Sequence, residues 1–346
     1  MTERPRVFTA IVTSNGMEFL PELFASLAAQ TGVTVQLQAV DNGSNDGAER
    51  FVRARYPQAT FLRNVRNLGV AAARNQAIRL ALAAWSPEER ASRYVLCTDP
   101  DIMLTPGCLE ALVAEADARP DAAVVCGKIL RAFREPGSED PVTDLVRSDV
   151  IDSLGVNADR FRRFRLRAAG SLDQGQWDQA CSVFAPPASL ALYRASALED
   201  VRDGDWFFDP DVGAASADAD LAWRLRLRGW DVRVTPKAVA YRFRPSITVT
   251  PKEPFGFPKT ASAARAAATD RVLMAWKNES VVNALLSWPW RFPYAVGRFL
   301  YALALRQAAF GGWMSAWAKL PGRLKRRRFV QTGKKVTLAE ARKWFG

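Results

Sequence analysis

Two carboxylates separated by a single proline are the sharpest chemical signal in this sequence. Asp99 and Asp101 follow residues 94–98, an apolar run with the pattern of a buried strand. Two carboxylates at a strand end can hold a divalent cation, which in turn binds a diphosphate and stabilises its charge as it departs. Asp and Pro are also common in plain turns. The spacing alone favours a turn. The position directly after a strand makes a metal site about as well supported as a turn.

Polar residues also end two other predicted strands. Thr13 ends the first apolar, β-branched run of the chain, and Asp41 ends the second. Residues 42–46 account for a turn and a helix cap. They do not account for an acid at the last position of the strand, where its side chain can face a ligand. Ligands of parallel α/β sheets bind beyond the carboxyl ends of the strands, so we expect these residues to gather along one sheet edge.

A further pair of acids, Asp218 and Asp220, opens a predicted helix. Both can favour a helix N-terminus through the macrodipole. The alternative is a general base that deprotonates an acceptor hydroxyl. The sequence contains no histidine, so base chemistry must fall to a carboxylate. Any metal must bind mostly to oxygens, which suit Mg²⁺ or Mn²⁺ better than zinc.

The elements that position these residues alternate between strand and helix. Such alternation predicts an α/β fold built from parallel βαβ units. Residues 135–179 are polar and Gly-rich, and we interpret them as an irregular functional excursion. Strands are predicted at residues 7–13, 33–41, 60–63, 94–98, 122–127, 183–192 and 231–234. Helices are predicted at residues 18–30, 46–55, 69–85, 106–119, 195–201 and 218–228.

The net charge of +12 is concentrated in the last part of the chain. Residues 271–346 hold 15 basic and 2 acidic residues, whereas residues 1–270 hold 33 and 34. This distribution argues against a generally basic nucleic-acid-binding protein and for a basic accessory segment. The four scattered cysteines favour a reducing compartment over a disulfide framework or a zinc site. The N-terminus shows no signal-peptide pattern, and we expect a cytoplasmic protein.

Residues 271–329 combine aromatic and aliphatic residues with basic residues at intervals. The basic residues interrupt every apolar run before it reaches the roughly 18–20 residues that span a bilayer. The pattern predicts amphipathic helices that lie on an anionic membrane, with residues 325–328 adding electrostatic attraction. The alternative is a pair of helices packed on the main domain or on a second copy of the chain. We expect peripheral association with the inner face of the plasma membrane.

Five short motifs stand in a regular order along the chain. They are Thr-Ala-Ile-Val-Thr-Ser-Asn (9–15), Val-Asp-Asn-Gly-Ser-Asn-Asp-Gly (40–47), Asn-Leu-Gly-Val-Ala-Ala-Ala-Arg-Asn (67–75), Thr-Asp-Pro-Asp (98–101) and Ala-Asp-Ala-Asp-Leu-Ala-Trp-Arg (217–224). In order and spacing they resemble the inverting glycosyltransferases of family 2, which have the GT-A fold. The likeness is greatest to bacterial rhamnosyltransferase-like members that build surface polysaccharides. It covers about residues 5–245 and continues more loosely to about residue 330.

The resemblance implies a Rossmann-like, mostly parallel sheet with flanking helices and C-terminal amphipathic helices. A GT-A domain would span residues 1–250, with a nucleotide-binding half at 1–130 and an acceptor or catalytic half at 131–250. A basic helical region would span residues 251–346. The implied reaction transfers a sugar, with rhamnose favoured, from a dTDP- or UDP-sugar to a glycan or polyprenyl-linked acceptor. The implied cofactor is Mg²⁺ or Mn²⁺.

The resemblance also implies a role for each motif residue. Thr13 and Asp41 would form the nucleobase pocket, with Asp41 accepting from the pyrimidine N3–H. The residues implied on the nucleotide and diphosphate side are Asn67, Gly69 and Arg74.

The remaining roles concern the reaction itself. Asp99 would face the ribose and sugar, and Asp101 would be the principal metal ligand. Asp218 would be the catalytic base. Arg224 would orient that loop or reach the diphosphate.

Two departures from the family pattern bear on catalysis. The family commonly has Glu-Asp at the base position, and here the first acid is replaced by Ala217. A histidine near the metal is also missing, and we assign its position to Tyr241, which is followed by Arg242. Arg242 could supply positive charge directly. Alternatives are a catalytically degenerate homologue that acts by binding and, less favoured, a nucleic-acid-binding protein.

Overall fold

The computed structural model describes residues 4–134, 145–244, 258 and 260–345. Within these residues, eleven strands form one mixed sheet and two more form a small antiparallel pair. The strands are β1 (Val7–Thr13), β2 (Val35–Gln36), β3 (Gln38–Asp41), β4 (Thr60–Arg63), β5 (Tyr94–Thr98), β6 (Ile102–Leu104), β7 (Ala122–Arg134), β8 (Leu145–Ser153), β9 (Val156–Ala158), β10 (Phe164–Leu166), β11 (Cys181–Ser182), β12 (Leu190–Arg194) and β13 (Asp231–Phe243).

The main path of the sheet runs β11-β13-β7-β12-β5-β1-β3-β4. The segment from β5 to β4 is parallel, as the alternating pattern predicts. β12 lies antiparallel to both β5 and β7. It separates the parallel strands of the N-terminal half from the parallel pair of β7 and β13. The α/β class predicted from the sequence is confirmed.

Helices cover both faces of this sheet, and two of the described helices open with a threonine cap. The helices are α1 (Leu20–Ala28), α2 (Ala48–Arg55), α3 (Val70–Ala83), α4 (Cys108–Ala118), α5 (Ala195–Asp200), α6 (Ala214–Leu227), α7 (Ala261–Asn278), α8 (Val281–Leu286), α9 (Trp288–Leu305), α10 (Gln307–Lys319), α11 (Leu324–Thr332) and α12 (Leu338–Lys343). Thr260 caps α7, its side chain accepting a hydrogen bond from the Ala263 amide.

The strand β1 is buried on both faces because a helical layer covers each side. Val7 and Ile11 pack into the core that includes α1, α2 and α4. Phe8 and Val12 pack into the core that includes α3 and α6. Successive side chains of a strand point to opposite faces, so a continuous apolar run fits a strand between two layers.

Two strands are longer than their local patterns predict. β7 continues beyond residue 127, and β13 continues beyond residue 234. They pair in parallel along most of their length, with a register shift between Thr235 and Val239. A side chain at Gly127 would collide with the carbonyl oxygen of Ala238, so glycine permits this close approach. This pairing joins segments that are distant in sequence, so it cannot be predicted from the sequence of either segment alone.

Other boundaries also differ from the sequence expectations. The predicted strand at residues 33–41 is divided into β2 and β3, and the strand at 183–192 forms only from Leu190. The predicted irregular excursion contains β8, β9 and β10 within residues 145–179, and its first part, residues 135–144, lies outside the described residues. β8 is ordered by pairing with β7, which again is a non-local contact.

Buried ion pairs tie the C-terminal helices to the sheet domain. The Lys277 ammonium on α7 donates to Asp209 at 2.6 Å and to Asp220 of α6 at 2.8 Å. Arg323 and Arg326 add ion pairs to Asp209. Part of the excess positive charge of residues 271–346 is therefore neutralised by ion pairs with the sheet domain. Among the described helices, none has the length and apolar character that crossing a membrane requires.

Candidate active site

The two carboxylates that follow β5 are held by an arginine. Arg242 lies on β13. This strand pairs antiparallel with β6, which begins directly after the Asp-Pro-Asp turn. Its Nε donates to Oδ2 of Asp101 at 2.8 Å, and its Nη2 lies 3.2 Å from Oδ2 of Asp99. One guanidinium therefore forms an ion pair with both members of the pair.

A second buried arginine connects the carboxylate pair to the predicted base. Arg74 on α3 is 1% exposed and donates to Asp218 Oδ2 at 2.8 Å and to Asp99 Oδ1 at 3.1 Å. Burial alone would lower the pKa of Arg74, but Asp218 and Asp99 more than offset it and raise the pKa above its ordinary value. The result is one chain of alternating charge, Asp218–Arg74–Asp99–Arg242–Asp101, which we call the ionic chain.

Both oxygens of Asp218 have a fixed donor. Arg74 donates to one, and the Tyr193 hydroxyl donates to the other at 2.6 Å. Burial, reinforced by the charge of Asp218, raises the pKa of Tyr193 well above its usual value, so the phenol remains a donor. A carboxylate held on both oxygens keeps one orientation, which proton transfer at a defined position requires.

The ionic chain lines a cleft of about 410 Å³. This size lies within the range of small-molecule sites. Four members of the ionic chain contribute to its wall, together with loop residues 186–189 and the first turn of α6. The members that line the cleft are Arg74, Asp99, Asp218 and Arg242.

The described residues do not make a ready site for the expected Mg²⁺ or Mn²⁺. No group of three or more Asp, Glu, Cys or His side chains is placed to hold a metal within the described part of the chain. Asp99 and Asp101 each give an oxygen to Arg242, so a cation between them would face a guanidinium. Asp101 Oδ1 is buried without a hydrogen-bond partner, and burial, outweighing Arg242, raises the pKa of Asp101. The arrangement fits a resident guanidinium better than a divalent cation.

Arg242, the neighbour of Tyr241, is the residue of this strand that contacts the two carboxylates in the structure. Tyr241 pairs with Met103 across β6 and β13, and the Arg147 guanidinium lies 5.3 Å from the centre of its ring. Neighbouring residues of a strand point to opposite faces. Only Arg242 faces the two carboxylates, because the alternation of β13 turns Tyr241 away from them.

Thr13 and Asp41 form a buried polar pair at the neighbouring strand ends. They are register partners on β1 and β3. Asp41 Oδ1 accepts from the Ser44 amide at 3.0 Å, whereas Asp41 Oδ2 and Thr13 Oγ1 are buried without a hydrogen-bond partner. Arg63 Nε lies 3.6 Å from Asp41 Oδ2. Leaving a buried polar atom unsatisfied costs about 1–3 kcal/mol, so the pair is suited to receive polar groups of a ligand.

Asn67 and Gly69 shape the loop between this pair and α3. Asn67 Oδ1 accepts from Asn42 Nδ2 and from the Gly69 amide, each at 2.8 Å. Gly69 has φ 86° and precedes α3 directly, a conformation that favours glycine. The loop thereby brings the N-terminus of α3, and with it Arg74, to the sheet edge.

Arg224 is a predicted site residue that the structure places neither in the cleft nor at the strand ends beside it. It lies six residues beyond Asp218 on α6, about 1.7 turns at roughly 3.6 residues per turn, and so points to another side of the helix. Its guanidinium donates to Asp220 at 3.2 Å and to the carbonyl oxygens of Val201 and Phe207. These contacts hold Arg224 in the protein interior near Lys277, where its role is structural.

Two buried residues at the site have no role in the sequence analysis. Tyr193 is the last residue but one of an apolar strand, β12. The sequence offers one signal for it, because a tyrosine in a buried strand needs a hydrogen-bond partner for its hydroxyl. Asp152 lines the cleft at 1% exposure and accepts from Arg244 at 2.8 and 2.9 Å and from Arg131 at 3.3 Å. Nothing in the local sequence around Asp152 indicates this position, because β8 reaches it through pairing with β7.

Comparison with known proteins identifies related sequences. The family model described as Glycosyl transferase family 2 matches residues 9–202, more than half of the chain. Over 244 residues the chain is 31% identical to the N-acetylglucosaminyl-diphospho-decaprenol L-rhamnosyltransferase of Mycobacterium tuberculosis. That match covers 66% of this chain and 72% of the relative. The same relative matches in two strains, CDC 1551 / Oshkosh and ATCC 25618 / H37Rv.

Solved structures share the fold at low sequence identity. The crystal structure of GalNAc-T7 with UDP, GalNAc and Mn²⁺ superposes with a TM-score of 0.55 at 12% identity, over 81% of this chain and 49% of that one. This chain thus spans about half the length of that protein. The mannosyltransferase PcManGT from Pyrobaculum calidifontis, in complex with GDP-Man and Mn²⁺, has a TM-score of 0.46 at 19% identity, over 96% and 86%. The first superposition confirms the predicted GT-A-type fold.

Proposed function

Because the chain belongs to glycosyltransferase family 2, we propose that it transfers a sugar, with inversion, from a nucleotide diphosphate-sugar to a hydroxyl of a lipid-linked glycan. The observation that carries the proposal is the ionic chain, which joins a fixed carboxylate, Asp218, to the positive charge of Arg74 and Arg242 on one cleft wall. Inverting transfer needs both: a base for the acceptor and positive charge for the leaving diphosphate.

In the proposed reaction the acceptor hydroxyl gives its proton to Asp218. The hydroxyl oxygen forms a bond to the anomeric carbon as the bond from that carbon to the diphosphate oxygen breaks. The nucleotide diphosphate leaves with the bonding electron pair. No covalent sugar–enzyme intermediate is needed, and one displacement inverts the anomeric centre.

Positive charge opposite the diphosphate comes, in this proposal, from Arg242. Its guanidinium already lies between the two carboxylates that the sequence analysis assigned to a metal. A guanidinium presents several donors in a plane and binds phosphate oxygens in pairs. A bound Mg²⁺ or Mn²⁺ would supply the same neutralisation, but it would have to displace Arg242 from Asp99 and Asp101.

The relative supports the proposed donor and acceptor classes, and the polar pair of Thr13 and Asp41 supports the proposed nucleobase. We propose a dTDP- or UDP-sugar donor, with rhamnose favoured, because the relative is a rhamnosyltransferase. We propose a polyprenyl diphosphate-linked sugar as acceptor for the same reason. Asp41 Oδ2 and Thr13 Oγ1, buried and unsatisfied, offer an acceptor and a hydroxyl to the uracil or thymine edge.

A substitution of Asp41 tests the nucleobase assignment. We expect Asp41→Ala to weaken the affinity for UDP or dTDP by about tenfold, because one hydrogen bond to a charged group is lost. Cytosine has no N3–H, so the wild-type protein should prefer UDP to CDP, and Asp41→Asn should narrow that preference. Isothermal titration calorimetry measures both. Equal affinities for wild type and variants would refute the assignment, and Asp121→Ala, an exposed acid paired with Arg119, is the control.

We also propose that helices α8–α10 rest on the cytoplasmic face of the plasma membrane. Large apolar side chains on these helices are more than half exposed, and Lys319, Lys325 and Arg328 lie exposed at or beyond the end of α10. Such a combination suits an anionic bilayer surface. The apolar side chains are Val281, Leu285, Trp288, Leu300, Leu305, Met314 and Trp317.

Vesicle sedimentation tests this placement. We expect the double change Leu285→Ser and Trp288→Ser to reduce binding to phosphatidylglycerol-containing vesicles by about tenfold or more, because two exposed apolar contacts are lost. The change Leu172→Ser, at an exposed apolar residue away from these helices, should leave binding intact. Removal of the whole tail is a poor alternative, because it takes away Lys277 and leaves Asp209 and Asp220 buried without their cation.

A transfer assay tests the function as a whole. Purified protein is given dTDP-rhamnose or UDP-sugars with polyprenyl diphosphate-linked N-acetylglucosamine in detergent, and the product is resolved by mass spectrometry. Transfer of one sugar supports the proposal. Nucleotide binding by thermal shift without any transfer would favour the degenerate, binding-only alternative.

A further inference from the structure

A second cavity, the basic pocket, adjoins the cleft that contains Asp218. Its volume is about 210 Å³, and within the described residues its walls carry five arginines and no acidic side chain. Phe164 and Ala215 line both cavities. Ala215 lies three residues before Asp218 on α6, close to one helical turn. The arginines of the basic pocket are Arg162, Arg163, Arg165, Arg271 and Arg298.

Positive charge in the basic pocket is only partly neutralised. Arg162 pairs with Glu279 and Arg163 with Asp159, whereas no described carboxylate lies within ion-pair distance of Arg165 or Arg271. Burial and the neighbouring Arg271 lower the pKa of Arg298 to about 10. Crowded, partly desolvated guanidinium groups are stabilised by an anion, and their planar donors match phosphate oxygens.

An apolar groove continues from the other side of the basic pocket. Arg271 and Arg298 line both spaces. The groove has a volume of about 320 Å³ and lies between α9 and α10. Phe299 stacks on Trp313 with ring centres 5.8 Å apart, and Met314 and Trp317 are 59% and 62% exposed along the rim. Apolar walls of this kind receive a hydrocarbon chain.

We propose that the cleft, the basic pocket and the apolar groove form one acceptor site for an isoprenoid diphosphate-linked sugar. The sugar lies in the cleft, the diphosphate meets the arginines of the basic pocket, and the first isoprene units enter the apolar groove. Three chemically different cavities adjoin in the order in which sugar, diphosphate and hydrocarbon follow one another in such a lipid. The inference rests on the proposed function, because it sets the acceptor hydroxyl beside Asp218.

Farnesyl diphosphate, which carries no sugar, tests the site in the full-length protein. We expect saturable binding, followed by the change in total tryptophan fluorescence that contact with Trp313 and Trp317 produces. Arg165→Glu and Met314→Lys, both at exposed positions, should each weaken that binding by about tenfold or more, because a charge contact or an apolar contact is replaced by a repulsive one. Inorganic diphosphate should respond to Arg165→Glu alone, and farnesol to Met314→Lys alone.

Matched variants separate this site from general effects of charge. Arg50→Glu on α2 and Leu80→Lys on α3 make the same changes at exposed positions away from the three cavities and should leave farnesyl diphosphate binding unchanged. Loss of farnesyl diphosphate binding with unchanged UDP or dTDP affinity supports the acceptor site. Wild-type affinity in both Arg165→Glu and Met314→Lys overturns it, as does equal affinity for farnesyl diphosphate and farnesol. Farnesyl diphosphate binding without any nucleotide binding contradicts the proposed function while supporting the isoprenoid site.

Discussion

Replacement of Asp218 by Asn should lower kcat by about 10³-fold or more, because general-base catalysis contributes about 10²–10⁴-fold and this chain offers no imidazole in its place. The asparagine side chain has the same shape. It can still accept from Tyr193 or Arg74, which hold the carboxylate at present. Nucleotide affinity should therefore remain close to that of the wild type, because the change removes a proton acceptor without opening a cavity.

Single-turnover kinetics with a saturating donor separates this loss of chemistry from a loss of binding. Asp205→Asn is the matched control, since that side chain is 79% exposed and lies on the surface next to Arg202. It should retain full turnover. An Asp218→Asn variant with wild-type turnover would remove Asp218 as the base. Loss of nucleotide binding in the same variant would instead give Asp218 the role of orienting Arg74.

Arg242 carries the second large expected effect. We expect Arg242→Ala to weaken the affinity for the donor nucleotide by about 10²-fold, the order of effect seen when one partner of a desolvated charge pair is truncated. Two effects combine: the diphosphate loses its cation, and Asp101 loses its ion pair with Arg242 while Asp99 keeps only the one with Arg74. Wild-type affinity should be the same in EDTA and in Mn²⁺, because the positive charge belongs to the protein.

The variant Arg242→His provides a second test of whether Arg242 replaces a metal ion. An imidazole between two carboxylates completes a set of three metal ligands, so this variant should bind nucleotide weakly in EDTA and recover affinity when Mn²⁺ is added. Calorimetric titration of UDP or dTDP gives both values without any turnover. Arg233→Ala, on the same strand but paired with Glu115, should behave as wild type. A wild-type protein that binds nucleotide only with Mn²⁺ would show that a cation displaces Arg242.

The amino-acid sequence alone was sufficient to predict the features of this protein that depend on local pattern. The apolar run of β1, the alanine-rich α3 and the acids that follow β5 can be recognised from period, composition and turn chemistry. The order and spacing of the motifs also indicated the family, and three of the five motifs contain the end of a strand. Parallel strands end at one edge, so the proximity of Thr13, Asp41 and Asp99 was already implied.

Tertiary structure decided which groups meet at that edge and with what charge. Arg242 lies more than 140 residues from its two carboxylates, and only the pairing of β13 with β6 places it against them. Tyr193 reaches Asp218 because β12 inserts antiparallel beside β5. Arg224 shares a motif with Asp218, yet the rotation of α6 sends it elsewhere. Local sequence determines which face of an element a residue occupies, whereas strand register and helix packing between distant segments determine its partner.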